Sequence, residues 1–158
     1  SFFPPKRDSY EYGDALVNDS GESTQTYWDA LAINSEVSRL GPTLVGLTST
    51  DVCFSEPIPE SAVGFSPGLP IVKIGAPTML AGFFHNADGE HYVMLVNTDM
   101  DYGKLARVTF ASNVESVVEV SKNAMPPEMI TWQKDETEKE AAILFRAGDG
   151  RLFKIMKK

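Results

Sequence analysis

A chain of 158 residues has room for one domain with a real core, or for a small domain with an appendage. Its 42% hydrophobic content excludes wholesale disorder. The net charge of −8, with Lys6–Arg7 and Lys157–Lys158 as the adjacent basic pairs, excludes the clustered cations that a nucleic-acid partner needs. Residues 1–22 are loop-like, with Pro4, Pro5, Gly13 and Gly21 around the short apolar run Ala15-Leu16-Val17. The opening SFFPPKRDSYEYG has no initiator Met and reads as the interior of a longer chain, so the lack of a signal peptide there says little about export. No apolar run is long enough to span a bilayer, and membrane insertion is not expected. The turn signal Asp19-Ser20-Gly21 then hands the chain to TQTYWDALAINSEVSRLGPTLVGL, residues 24–47.

In that stretch Ala30, Ile33, Val37, Leu40, Leu44 and Leu47 recur every three or four residues, which predicts one long amphipathic helix. Thr24 or Thr26 is expected to offer its side-chain oxygen to the free amides of the first turn, with Asp29 near the positive helix end. Gly41-Pro42 predicts a kink or a restart, because Pro42 has no amide to donate and crowds the carbonyl of Ser38. Residues 55–78 carry five prolines and read as a boundary segment with one strand at 71–74.

From Met79 onward the pattern is β. MLAGFFHNADGEHYVMLVN is two apolar runs about Asp88-Gly89, a hairpin signal. Leu105 to Phe110 and Val114 to Val120 alternate about Ser112-Asn113. Met129 to Trp132 is short, and AAILFRAGDGRLFKI reads as a second hairpin about Gly148-Asp149-Gly150. The expected fold is mainly β, an antiparallel β-sandwich of seven or eight strands preceded by one long amphipathic α-helix. The expected division is 1–50 as loop plus helix, 51–78 as a Pro-rich connector and 79–158 as the sandwich core.

Chemistry-bearing patterns are few. Cys53, the single cysteine, stands between Val52 and Phe54 and reads as a small buried hydrophobe rather than a nucleophile. Asn97, Asp99 and Asp101 alternate like the start of a calcium loop. Tyr102 then stands where the turn wants Gly, and Val108 where a bidentate Glu belongs, so a loop of acidic residues is the preferred reading. His85 and His91 flank the first hairpin turn, but two imidazoles fall short of the three or four ligands of a zinc site. No catalytic, cofactor-binding or metal residue is assigned, and no cofactor is expected. Trp28, Trp132, Tyr92, Tyr102, Phe83 and Phe84 could stack on sugar rings. Alternation places most of them at buried strand positions, which leaves Trp132, between Thr131 and Gln133, as the candidate platform.

GDALVNDSGESTQTYWDALAINSEVSRLGPTLVGL resembles the end of a (β/α)8 glycoside hydrolase, β-galactosidase-like enzymes in particular. Gly21, Thr24 and Tyr27 follow their G-x-x-T-x-x-Y stretch leading into the last barrel helix. The remainder, with LAGFFHNADGEHYVMLVN and the terminal AGDGRLFKI, resembles the C-terminal β-sandwich attached to such barrels. The resemblance implies that the helix belongs to a barrel wall. It also implies that the two catalytic carboxylates lie upstream of Ser1, so this chain alone is not an enzyme. Glu11 and Asp14 would fall in the last loop on the active-site side of that barrel, although solvated loop acids is the plainer reading. The implied role is non-catalytic: an accessory sandwich bracing the catalytic barrel, in an exported, periplasmic or extracellular, bacterial enzyme of carbohydrate metabolism. The alternative is a carbohydrate-binding module acting through exposed aromatic residues. The expected partners are the catalytic barrel, a glycan, or a second copy meeting through the helix.

Overall fold

The computed structural model describes residues 15–122, 126, 128–131 and 139–158. Glu11, Asp14 and Trp132 lie outside the described residues. One helix, α1 (Gln25–Leu44), precedes eight strands: β1 (Thr48–Phe54), β2 (Ile71–Ile74), β3 (Met79–His85), β4 (His91–Asn97), β5 (Lys104–Phe110), β6 (Val114–Val120), β7 (Lys139–Phe145) and β8 (Gly150–Lys157). The strands form two antiparallel sheets, a five-stranded one in the order β1-β3-β4-β8-β6 and a three-stranded one in the order β2-β5-β7. This is the expected antiparallel sandwich preceded by a helix. No helix among the described residues is long and apolar enough to cross a membrane.

Alternation builds the core between the sheets. Ala106, Val108 and Phe110 of β5 and Ala141, Ile143 and Phe145 of β7 face Ala81, Phe83, Val93, Leu95, Val117, Phe153 and Ile155 of the larger sheet, all buried. Period-two patterning of this kind is what a half-buried strand requires. The runs through β3 and β4 are instead almost unbroken apolar stretches. The reason is a second cluster on the outer face of the larger sheet, where Leu40 of α1 packs with Tyr92 and Leu152, flanked by Leu44, Leu47, Phe84, Met94 and Val120. Strands covered on both faces lose the polar half of their alternation.

Four local expectations are revised. Thr24 is the N-cap residue of α1, but its hydroxyl makes no capping bond; it donates instead to the carbonyls of Ala15 and Leu16. The helix does not restart at Pro42 but runs through it to Leu44, because Pro42 falls in the last turn, where little helix remains to lose a hydrogen bond. Strand β1 runs into the stretch read as a connector. Its first five residues are exposed and it lies at a sheet edge, so it carries no apolar alternation to announce it. Finally, Gly148-Asp149-Gly150 does not join a hairpin. Strand β7 pairs with β5, while β8 pairs with β4 and β6, so this turn carries the chain from one sheet to the other. Ser112-Asn113 does the same between β5 and β6. The Asp88-Gly89 turn does close a hairpin, β3 against β4, with Gly89 at φ 78°.

Candidate functional site

Two surfaces gather the features singled out in the sequence: the helix with its approach segment, and the end of the sandwich at the β3–β4 turn. In the approach segment the Asn18 side-chain carbonyl accepts from the amides of Ser20 and Glu22, and Gly21 turns the chain at φ 83°, a conformation that favours glycine. Val17 then bridges Ser23, and the Thr24 hydroxyl ties the incoming chain to the helix start. Tyr27 meets Trp28 edge-on, with ring centroids 5.1 Å apart. Gly21, Thr24 and Tyr27, the residues of the G-x-x-T-x-x-Y stretch, thus each have a local task at this helix entrance.

Along α1, Ile33, Val37, Leu40 and Leu44 share one stripe through steps of three and four residues. Leu40 is buried and Leu44 half-buried on the sheet, whereas Ile33 and Val37 are 62% and 61% exposed on the same stripe. Trp28 and Leu31 add 54% and 45% exposure on the flank. The helix therefore docks through its C-terminal half and carries its N-terminal apolar half past the sheet.

Among the described residues, one ion pair joins the helix to the sandwich. The Lys122 ammonium lies 3.2 Å from the Glu36 carboxylate of α1 and also pairs with Asp149 at the β7–β8 turn. Burial works against the Lys122 charge, but hydrogen bonds to Asp149 and Glu36 outweigh it and hold the ammonium protonated beyond its ordinary range. Beside it, Arg151 of β8 meets Glu119 of β6 through both arms of its guanidinium, one at 2.8 Å.

At the β3–β4 turn the structure brings His85 and His91 together as directly opposite residues of the hairpin. They line a pocket of about 340 Å³ with Thr50 and Asp51 of β1, Gly68, Leu69 and Pro70, Phe83, and Lys157 of β8. Burial foremost, then the positive charges of Lys157 and His85, pushes the His91 imidazole below its ordinary proton affinity. Sequence reading anticipated the two histidines but not Lys157 or Asp51. Nothing in the local pattern marks either residue, since they come from the first and last strands of the chain and meet only through the fold.

The other candidates resolve into structure. Asp99 of the NTDMDYG loop accepts the amides of Asp101 and Tyr102 and pairs with Lys104 at 2.9 Å. The hydrogen bond from Lys104, then those from the backbone amides, hold its carboxyl below the usual carboxylate range. Asn97 is buried, donating to the carbonyls of Tyr102 and Arg146 at 2.8 and 2.9 Å. The loop is thus cross-linked by its own acids, and no group of three or more metal-ligating side chains occurs among the described residues. Cys53 is buried, and burial first, Asp51 second, pushes its thiol up, away from nucleophilic thiolate. Among the aromatic candidates Phe83 and Tyr92 are buried and Phe84 joins the cluster under the helix, while Tyr102 and Trp28 are exposed. No family model, curated protein or solved structure matches this chain.

Proposed function

We propose that this chain is a non-catalytic accessory β-sandwich that braces the catalytic barrel of a glycoside hydrolase, with α1 as the element shared between the two. The observation that carries the reading is the divided stripe of α1. Leu40 and Leu44 are seated on the sandwich, while Ile33 and Val37 of the same stripe stand uncovered beside Trp28 and Leu31. An isolated helix is marginal in water, and an apolar strip held out from a domain marks a surface made for a partner. A barrel wall supplies such a partner in the architecture that the sequence resembles. The alternative is a glycan-binding role through exposed aromatic rings: Phe83 and Tyr92 are buried, Trp28 and Tyr102 are exposed, and the candidate platform Trp132 lies outside the described residues.

The test compares this chain with the longer protein encoded through it. The chain alone is expected to turn over no aryl glycoside. In the longer protein, amide exchange across residues 25–37 is expected to slow by at least an order of magnitude, because covering the strip removes the helix's local opening. Turnover by this chain that a point substitution within it abolishes would overturn the reading. So would equal exchange rates in the two proteins.

A further inference from the structure

We propose that the pocket at the β3–β4 end of the sandwich binds a small hydroxylated carboxylate, of the size of a uronic acid, through Lys157 and the paired imidazoles of His85 and His91. The first support is the placement of charge. In a chain of net charge −8, Lys104, Arg107, Lys122, Arg151 and Lys154 each sit against a carboxylate. Lys157, His85 and His91 line one pocket together with the Asp51 carboxylate; among the described residues no ion pair engages Lys157 or either histidine, as holds also for Arg39, Lys73 and Arg146. Gathering like charges is unfavourable in itself, and after burial, the larger cause, the Lys157 and His85 charges add to the lowering of the His91 proton affinity. An anion seated among them reverses that cost.

The shape and the remaining walls narrow the ligand. The volume of about 340 Å³ is at the lower end of small-molecule sites, which run to roughly 300–1,000 Å³. Phe83, Leu69 and Pro70 give it apolar lining, and Thr50 and Asp51 add partners for ligand hydroxyls. Asp51 accepts hydrogen bonds from ligand hydroxyls but repels a dianion, which favours a monoanionic carboxylate over phosphate. The charged and titratable groups facing the site are Asp51 from β1, His85 from β3, His91 and Tyr92 from β4, and Lys157 from β8. The loop residues Gly68, Leu69 and Pro70 add none. Acidification charges the His91 imidazole, whose proton affinity is lowered in this pocket, so carboxylate binding takes up protons there. This site lies at the sandwich end and stands whether or not α1 braces a barrel.

The experiment titrates the full chain with D-galacturonate, D-galactose and inorganic phosphate, at pH 5.5 and 8.0, by heteronuclear NMR. Galacturonate is expected to bind most tightly, more so at pH 5.5, and to raise the titration midpoint of the His91 imidazole. Lys157→Gln is expected to weaken it about tenfold or more, the loss typical of a charged hydrogen bond, with amide shifts elsewhere unchanged. His91→Gln is expected to flatten the pH dependence. Equal binding of galactose and galacturonate, tighter binding of phosphate, an unaffected Lys157→Gln variant, or no binding at millimolar concentration would each overturn the proposal.

Discussion

Asn97 shows what one side chain does for this fold. It is fully buried at the end of β4, and its amide group donates to the carbonyls of Tyr102 and Arg146 while its carbonyl accepts from the Asp99 amide. Its own backbone amide bonds to the carbonyl of Asp149. One residue thus joins the β4–β5 loop to the β7–β8 turn, segments that lie about fifty positions apart in the chain. Replacing it with alanine leaves two partly buried carbonyls without their donor. Asn97→Ala should destabilise the fold by about 2–3 kcal/mol, the cost of stranding buried polar groups. Urea unfolding with an unchanged slope and a lowered midpoint is the outcome that checks it. A neighbouring residue with a conformational duty is Gly148, at φ 63°, where an added Cβ would also sit 3.1 Å from the Met100 sulfur.

At the scale of elements, α1 is held by a small number of contacts, and their loss should separate it from the sandwich. Leu40→Ala removes its buried anchor against Tyr92 and Leu152, a change that typically costs about 2–3 kcal/mol at a site of this kind. The sheets do not depend on that contact, whereas the undocked helix is marginal by itself. Amide exchange over residues 25–44 should therefore accelerate by about 30- to 100-fold, with protection in β3, β4 and β8 retained. Val37→Ser, on the same stripe but 61% exposed, should change stability by no more than about 0.5 kcal/mol. Equal effects of the two substitutions would show that the stripe is not divided in the way the structure has it.

For the whole molecule the acidic limb of stability carries a histidine signature. His91 has a lowered proton affinity in the folded state, so the unfolded chain binds more protons once pH falls below the ordinary histidine value of ~6.5. Stability then declines as pH falls from there toward the depressed folded value, and this contribution is constant below it. Thermal or urea unfolding followed from pH 8 to 5 should show this decline, reduced in His91→Gln. A decline of undiminished size in that variant would assign the acid limb to carboxylates instead. Asp99 and Glu90, held low by hydrogen bonds from Lys104 and Lys154 respectively, lose their contributions at still lower pH, as carboxylates protonate.

The sequence by itself determined the local order of this protein. The three- and four-residue spacing from Ala30 to Leu44 specified α1, the alternation from Leu105 to Phe110 specified β5 with a buried face, and Asp88-Gly89 specified a hairpin. These signals are local because helix periodicity, pleat and turn chemistry act between residues near one another in the chain. Edge strand β1 escaped notice because an edge with one buried side chain leaves no pattern. Tertiary structure alone decided which turns join paired strands and which cross the sandwich. Gly148-Asp149-Gly150 reverses the chain as well as Asp88-Gly89 does, and inward alternation is satisfied equally by a partner beside the strand or by one across the core. It also decided that the stripe of α1 is covered at Leu40 and uncovered at Ile33, and that His85, His91 and Lys157 share a wall. Those outcomes depend on contacts between distant segments, and no window of sequence contains both sides of such a contact.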